Sequence, residues 1–107
     1  MNQIIVFITA SNEDEAAKIA GALVEARLAG CVNIIKNIRS IYRWQEKIED
    51  EQEVFMIAKT RQELFKALTK KVKELHSYTV PEVIAMPIVE GSTDYLQWLD
   101  EVTGAAE

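Results

Sequence analysis

Two strand-like stretches in succession, "CVNIIKNIRSIYRWQ" and "KIEDEQEVFMIAKT", set the tightest limit on the fold. Gln45, Glu46 and Lys47 make the turn between them, so the pair reads as a hairpin. Its second arm is polar first and apolar later. Val32 to Trp44 alone is 13 residues, which extends to about 43 Å. A 100-residue domain has a radius of gyration of about 13 Å, or a sphere roughly 34 Å across. A straight hairpin of this length overruns its own domain, so it must bend or project. It carries Ile38, Ile41, Tyr42 and Trp44, which sit poorly in water. A projecting edge strand with aromatic residues is a template for another chain. Self-association is therefore expected.

The flanking segments complete the pattern. "QIIVFIT" (Gln3 to Thr9) is short, β-branched and apolar on both faces, as a central, doubly covered strand is. A helix follows. Asn12 and Glu15 form a capping box, acids fill the first turn, and Gly30 offers a stop. After the hairpin, Thr60 and Glu63 read as a second capping box. Leu64, Phe65, Leu68, Val72 and Leu75 make the apolar stripe of a second helix that ends near His76. Pro81 cannot continue it. "EVIAMPIVE" is a last strand, and Pro87 within it demands an edge or a bulge. "TDYLQWLDEV" closes as a short helix with Tyr95, Leu99 and Val102 on one side.

The order is βαββαβ plus a C-terminal helix, an α+β, ferredoxin-like pattern. Right-handed crossovers leave an antiparallel sheet in the order 4-1-3-2 with both main helices on one face. That arrangement puts the Pro87 strand on an edge and the apolar first strand inside.

The 107 residues suggest one domain, 1–107. With 49% apolar residues the chain is globular. Its longest apolar run, Ile4 to Ile8, is too short to span a membrane. No secretory signal is visible, so cytoplasm is the expected compartment. Cys31 is the only cysteine, which excludes an internal disulfide and a CxxC metal site. The net charge is −5, with no basic stripe for a phosphate backbone, so nucleic acid is not an expected partner.

At this point the chain resembles the CutA family, named for divalent-cation tolerance. "ARLAGCVNI", "SIYRW", "KIE" and "VFMIAKT" are similar to that family's central block. "HSYTVPE" and "DYLQWL" are similar to its C-terminal pair. The resemblance implies a ferredoxin-like fold, a homotrimer joined through the long hairpins, and binding of copper and other divalent metals. It implies no catalytic reaction. The trimer architecture is similar to that of the PII signalling proteins. This chain has Lys36-Asn37 where the family often has Pro-Gly, and His76-Ser77-Tyr78 where it commonly has His-Pro-Tyr. Ile8 and Leu75 stand where some members carry a cysteine and a second histidine. A strong thiolate-imidazole copper site is therefore not expected, and any cation should bind weakly.

Topology sorts the candidate residues. His76 and Glu82 fall at one end of the sheet, and Cys31, Lys59 and Thr60 at the other. A neutral imidazole binds copper, nickel or zinc, so His76 is the first metal candidate. Its plain alternative is a helix-end residue that favours the macrodipole. Glu82 is a second ligand or an acceptor that orients the ring. Thr9, water or a symmetry-related carboxylate would complete the site. Tyr78 either hydrogen-bonds a ligand or packs over a loop. Cys31 is a soft copper(I) donor or, more simply, a small apolar residue. Lys59 could hold an anion in a cleft. Tyr42 and Trp44 line a cleft between subunits or anchor the interface. "EDEQE" (49–53) could hold a hard cation, but it lacks EF-hand spacing and reads more simply as a solvated hairpin flank. No nucleophile–base–acid set can be assembled, so an enzyme is not expected. Two functions remain: a trimeric divalent-cation (copper) binding protein of metal tolerance, or a PII-like signalling or scaffold module that takes a small anion or a protein partner.

Overall fold

Gln3–Ala10 form the first strand, β1, and its alternation of Ile4, Val6, Ile8 and Ala10 buries one face completely. The computed structural model describes residues 2–104. Helix α1 (Glu13–Glu25) follows, then β2 (Cys31–Trp44), β3 (Lys47–Arg61), a 3₁₀ turn at Gln62–Leu64, α2 (Phe65–Leu75), β4 (Val83–Pro87) and α3 (Thr93–Val102). The sheet runs β2-β3-β1-β4 with every pair antiparallel, the 4-1-3-2 order that the sequence implies. β4 is an edge, and Pro87 is its last residue.

The core lies between one sheet face and the two longer helices. Val6, Ile8, Met56 and Ala58 from the sheet meet Ile19, Leu23, Leu68 and Val72 from α1 and α2, all fully buried. Each of these side chains other than Ala58 is worth about 1.5–3 kcal/mol on leaving water. α3 takes the opposite face at the lower end, where β1 begins. Gln3 donates to both oxygens of Asp100, and Arg61 Nε donates to Thr103 Oγ1 at 2.9 Å. Gly30 makes this docking possible: a Cβ there would stand 2.6 Å from Leu99 Cδ1. Its role is close approach, and the helix stop falls elsewhere. α1 ends because Arg27 turns left-handed, at φ 61°, while Leu28 N–H bonds back to Leu23 O. On α3 the buried residues are Leu96 and Leu99, while Tyr95 stays 40% exposed.

Asn12 caps α1 as expected, its Oδ1 accepting from Glu15 N–H at 2.8 Å. Glu15 answers toward Ser11 rather than Asn12, accepting from both Ser11 N–H and Ser11 Oγ at 2.9 Å. The Thr60–Glu63 capping box does not form. β3 runs on through Arg61, so Thr60 pairs with Ile4 and is buried in the sheet.

The long hairpin projects. Ala10↔Val54 is the last rung between β1 and β3. From Glu53 to Lys47, β3 has only β2 beside it. The molecule is accordingly 45 Å long and only 26 by 22 Å across. A bulge sits where the ribbon leaves the sheet: Ile35 pairs with Phe55 and Ile38 with Glu53, leaving one extra residue on β2. Asn37 absorbs it at φ 63°, a region that Asn enters more readily than most residues. The extra residue shifts the alternation. Cys31, Asn33 and Ile35 face away from the two longer helices, and beyond the bulge Ile38, Ser40, Tyr42 and Trp44 do so.

The turn is Gln45-Glu46 alone, with φ of 49° and 71°, and Lys47 already pairs with Trp44. Two positive φ values define a type I′ turn, normally made by Asn-Gly. Replacing Gln45-Glu46 with Asn-Gly should raise stability by on the order of 1 kcal/mol. The midpoint of guanidinium unfolding, read at fixed chain concentration, checks it.

Candidate functional site

The joint between α2 and β4, "HSYTVPE", closes over the upper end of β1. The His76 side chain is enclosed, although its backbone is partly exposed. Its Nδ1 accepts from Tyr78 N–H at 3.0 Å, and its Nε2 lies 2.7 Å from Thr9 O. A backbone N–H can only donate and a carbonyl can only accept. The ring is therefore the neutral tautomer with its proton on Nε2. Both nitrogens are in use, and a metal at Nδ1 would have to displace the Tyr78 N–H.

Glu15 stands behind this ring, its Oε1 3.9 Å from Nδ1. Its Oε2 accepts from Ser77 N–H at 2.8 Å. Burial alone would raise its pKa. Hydrogen bonds from Ser11 and Ser77 overcome that and hold the carboxylate down at about 2. Glu15 thus ties the start of α1 to the joint, a role that its capping position did not announce.

Beyond the joint a cleft of about 720 Å³ opens against the projecting ribbon. The ribbon supplies Tyr42, Trp44 and a row of carboxylates, Glu49, Glu51 and Glu53. The joint supplies Tyr78 and Glu82. Glu53 is only 5% exposed and accepts from Tyr78 Oη at 2.6 Å. Tyr42 Oη donates to Glu51 Oε1 at 2.9 Å. The bond to Glu51 pushes the Tyr42 hydroxyl up to about 12. Burial first, then Glu53, pushes that of Tyr78 higher still. Both phenols stay protonated and serve as donors that fix carboxylates.

The structure separates the sequence candidates into two groups. Tyr42, Trp44, Tyr78 and Glu82 share the cleft, with Thr9 at its floor. His76 lies beneath the joint and does not line the cleft, and no hydrogen bond joins it to Glu82. Cys31 and Lys59 are a cross-strand pair at the lower end. Lys59 Nζ donates to Asn33, and the Tyr95 phenol lies against Cys31. Lys59 is ten residues along β3 from Glu49, the partner of Tyr42, or about 33 Å. Lys59 and Tyr42 therefore cannot hold one small anion within a chain. Among the described residues, no three His, Cys, Asp or Glu groups converge as a metal cage. Glu49, Glu51 and Glu53, read from sequence as a solvated flank, belong to this cleft. Their alternation along a strand was the available signal, since residues two apart share a face.

An antiparallel sheet backed by two helices, with a ribbon that outruns it, defines a small α+β protein of the ferredoxin-like class. The family model described as CutA1 divalent ion tolerance protein matches residues 4–102, and the chain belongs to that family. It is 51% identical over 100 residues to the divalent-cation tolerance protein CutA of Thermus thermophilus, covering 94% of this chain and 97% of that one. It is 52% identical over 97 residues to human protein CutA, covering 91% of this chain but only 54% of the human protein. The solved CutA1 structure from Oryza sativa superposes with a TM-score of 0.95 at 42% identity, over 99% of this chain and 97% of that one. The Archaeoglobus fulgidus structure, described as a periplasmic divalent cation tolerance protein, gives 0.91 at 44% identity, over 94% and 97%.

The depressed Glu15 pKa has a definite sign. Its contribution to stability is complete above its ordinary value near 4.5 and is lost as pH falls toward about 2. The span corresponds to on the order of 2–3 kcal/mol. Chemical denaturation of wild type and Glu15→Gln between pH 6 and pH 2.5 should show the acid loss in wild type and a flatter profile in the variant.

Proposed function

We propose that this protein serves divalent-cation tolerance as a homotrimer that binds copper or another divalent cation weakly in clefts between its copies. The observation that carries the reading is the sheet face turned away from the two longer helices. Ile5, Phe7, Phe55 and Ile57 lie on it and are only half-buried. At its margins Ile35, Ile84 and Met86 are 46%, 56% and 57% exposed. Phe7 and Phe55 stack at 5.5 Å and form a flat apolar centre. A contiguous apolar face of this kind favours burial against a partner. The family's solved members share the same chain fold, which supports a common use of that face.

A cation in the cleft would take Glu82 as a carboxylate ligand, with water, Thr9 or a neighbouring copy's carboxylate completing the set. Oxygen donors of this kind give modest hold on copper, which prefers imidazole and thiolate. His76 contributes in one of two ways. It keeps the joint in place, or it gives up the Tyr78 N–H and ligates through Nδ1. We assign the protein no catalytic reaction. The single thiol, Cys31, suits a reducing compartment such as the cytoplasm. Among the described residues no helix is long and apolar enough to cross a membrane. The signalling alternative, with a small anion held by Lys59, has less support, because Lys59 lies far from the aromatic cleft and the cleft is lined by carboxylates.

Calorimetric titration with copper of wild type, Glu82→Gln and His76→Ala tests the site. Loss of about tenfold in affinity in Glu82→Gln supports it. A similar loss in His76→Ala, with the fold retained, makes the ring a ligand. Equal affinity in all three removes the site.

A further inference from the structure

The cleft asks for more than a small ion. Its volume of about 720 Å³ suits an organic molecule. Four carboxylates line it, Glu49, Glu51, Glu53 and Glu82, and among the described residues of the same chain no Lys, Arg or His does. Glu53 makes the demand sharpest. It is nineteen-twentieths buried, its Oε2 accepts from the Tyr78 hydroxyl, and among the described residues it forms no ion pair. Its second oxygen, Oε1, accepts none from the described residues. Glu53 lines the cleft, where a cationic donor would give this oxygen a partner that the described residues do not supply. The two phenol donors are already committed, to Glu51 and Glu53. The open capacity of the wall is therefore mostly for accepting hydrogen bonds from a cationic donor.

Spacing narrows the ligand further. Glu49, Glu51 and Glu53 alternate along β3, so successive carboxylates emerge from one face about 6.7 Å apart. A single divalent ion needs its oxygens gathered within about 2.0–2.6 Å of one point. A row at strand spacing instead matches ammonium groups separated by a four-carbon chain. The methylenes of such a chain need an apolar bed, and Trp44 and Tyr42 supply one at the ribbon end of the row. Their ring faces also attract an ammonium group directly.

We propose that this cleft binds a linear aliphatic polyamine, its ammonium groups held by the Glu49–Glu51–Glu53 row and its methylenes laid against Trp44 and Tyr42. The proposal does not rest on the divalent-cation reading, although the two ligands would compete for carboxylates. Glu82, across the cleft, closes the site from the joint.

The test is calorimetry of the full chain, in its natural assembly, with spermidine in a buffer containing a metal chelator. Saturable binding should weaken about tenfold in Glu51→Gln and in Glu53→Gln, each of which removes a charged acceptor. Trp44→Ala should weaken it about fivefold. Glu25→Gln, which removes a carboxylate on α1 away from the cleft, should leave it within twofold of wild type. Diaminobutane should bind more tightly than diaminoethane, because only the longer chain matches the row. Melting curves of each variant confirm that it folds, and Glu51→Gln decides the matter if Glu53→Gln does not. Absence of saturable binding at millimolar spermidine overturns the proposal. So does equal binding by wild type and Glu51→Gln, or equal binding of diaminoethane and diaminobutane, since either shows attraction to net charge alone. Copper titrated into the same preparations keeps the two readings apart: copper bound and spermidine refused would sink this inference and leave the metal reading standing.

Discussion

The structure depends on a mismatch of strand length. β1 has 8 residues, whereas β2 and β3 have 14 and 15. The inner half of the hairpin is an ordinary part of a four-stranded sheet. The outer half is a two-stranded ribbon, which has little independent stability in water. That ribbon must find further contacts. Among the described residues it finds one where the α2–β4 joint folds toward it, through Tyr78 and Glu53. The cleft is the space left between ribbon and joint. The uncovered sheet face continues from it without a break, through Phe55 and Phe7. One mismatch thus creates both the cleft and the open apolar face.

A hydrogen-bond relay holds the joint against this ribbon. Glu15 receives Ser77 N–H, the His76 ring bridges Thr9 O and Tyr78 N–H, and Tyr78 Oη reaches Glu53. The links through His76 and Tyr78 are part-buried, where an unpaired polar group costs up to about 1–3 kcal/mol, while the Glu15–Ser77 link is exposed. The relay runs from the first turn of α1 to the root of the ribbon. His76, the residue whose chemistry is most suggestive in the sequence, serves here as an internal strut. The residues free to meet a ligand are carboxylates and aromatic rings.

Much of the fold was legible because several cues agreed. Pro87 demanded an edge, the apolar first strand demanded the interior, and the sheet order satisfied both. The hairpin overran its domain on arithmetic alone. Asn37, standing where the family often has Pro-Gly, still takes the left-handed position at the bulge, because its short side chain tolerates it. The failures have equally physical causes. Thr60 looked like a helix cap but lies inside a strand that runs one residue further, to Arg61. Gly30 looked like a helix stop, yet the stop is Arg27, and Gly30 is small because Leu99 crowds it. "EDEQE" looked like solvated charge because its composition was read without its period. In a strand its first, third and fifth residues share one face, and the last of them is buried beneath Tyr78. The site residues of the sequence reading split between the two ends of the sheet, as topology required, but enclosure of the imidazole depends on tertiary packing that no local pattern reveals.

The account's central claim is that the projecting ribbon and the open apolar face are covered by further copies of the chain. Sedimentation equilibrium measures this most directly, with wild type and Ile84→Asp compared over the low micromolar range. The account predicts a wild-type particle of three chains, and a shift toward smaller species when a carboxylate enters the apolar face. A wild-type mass of one chain throughout that range would contradict it.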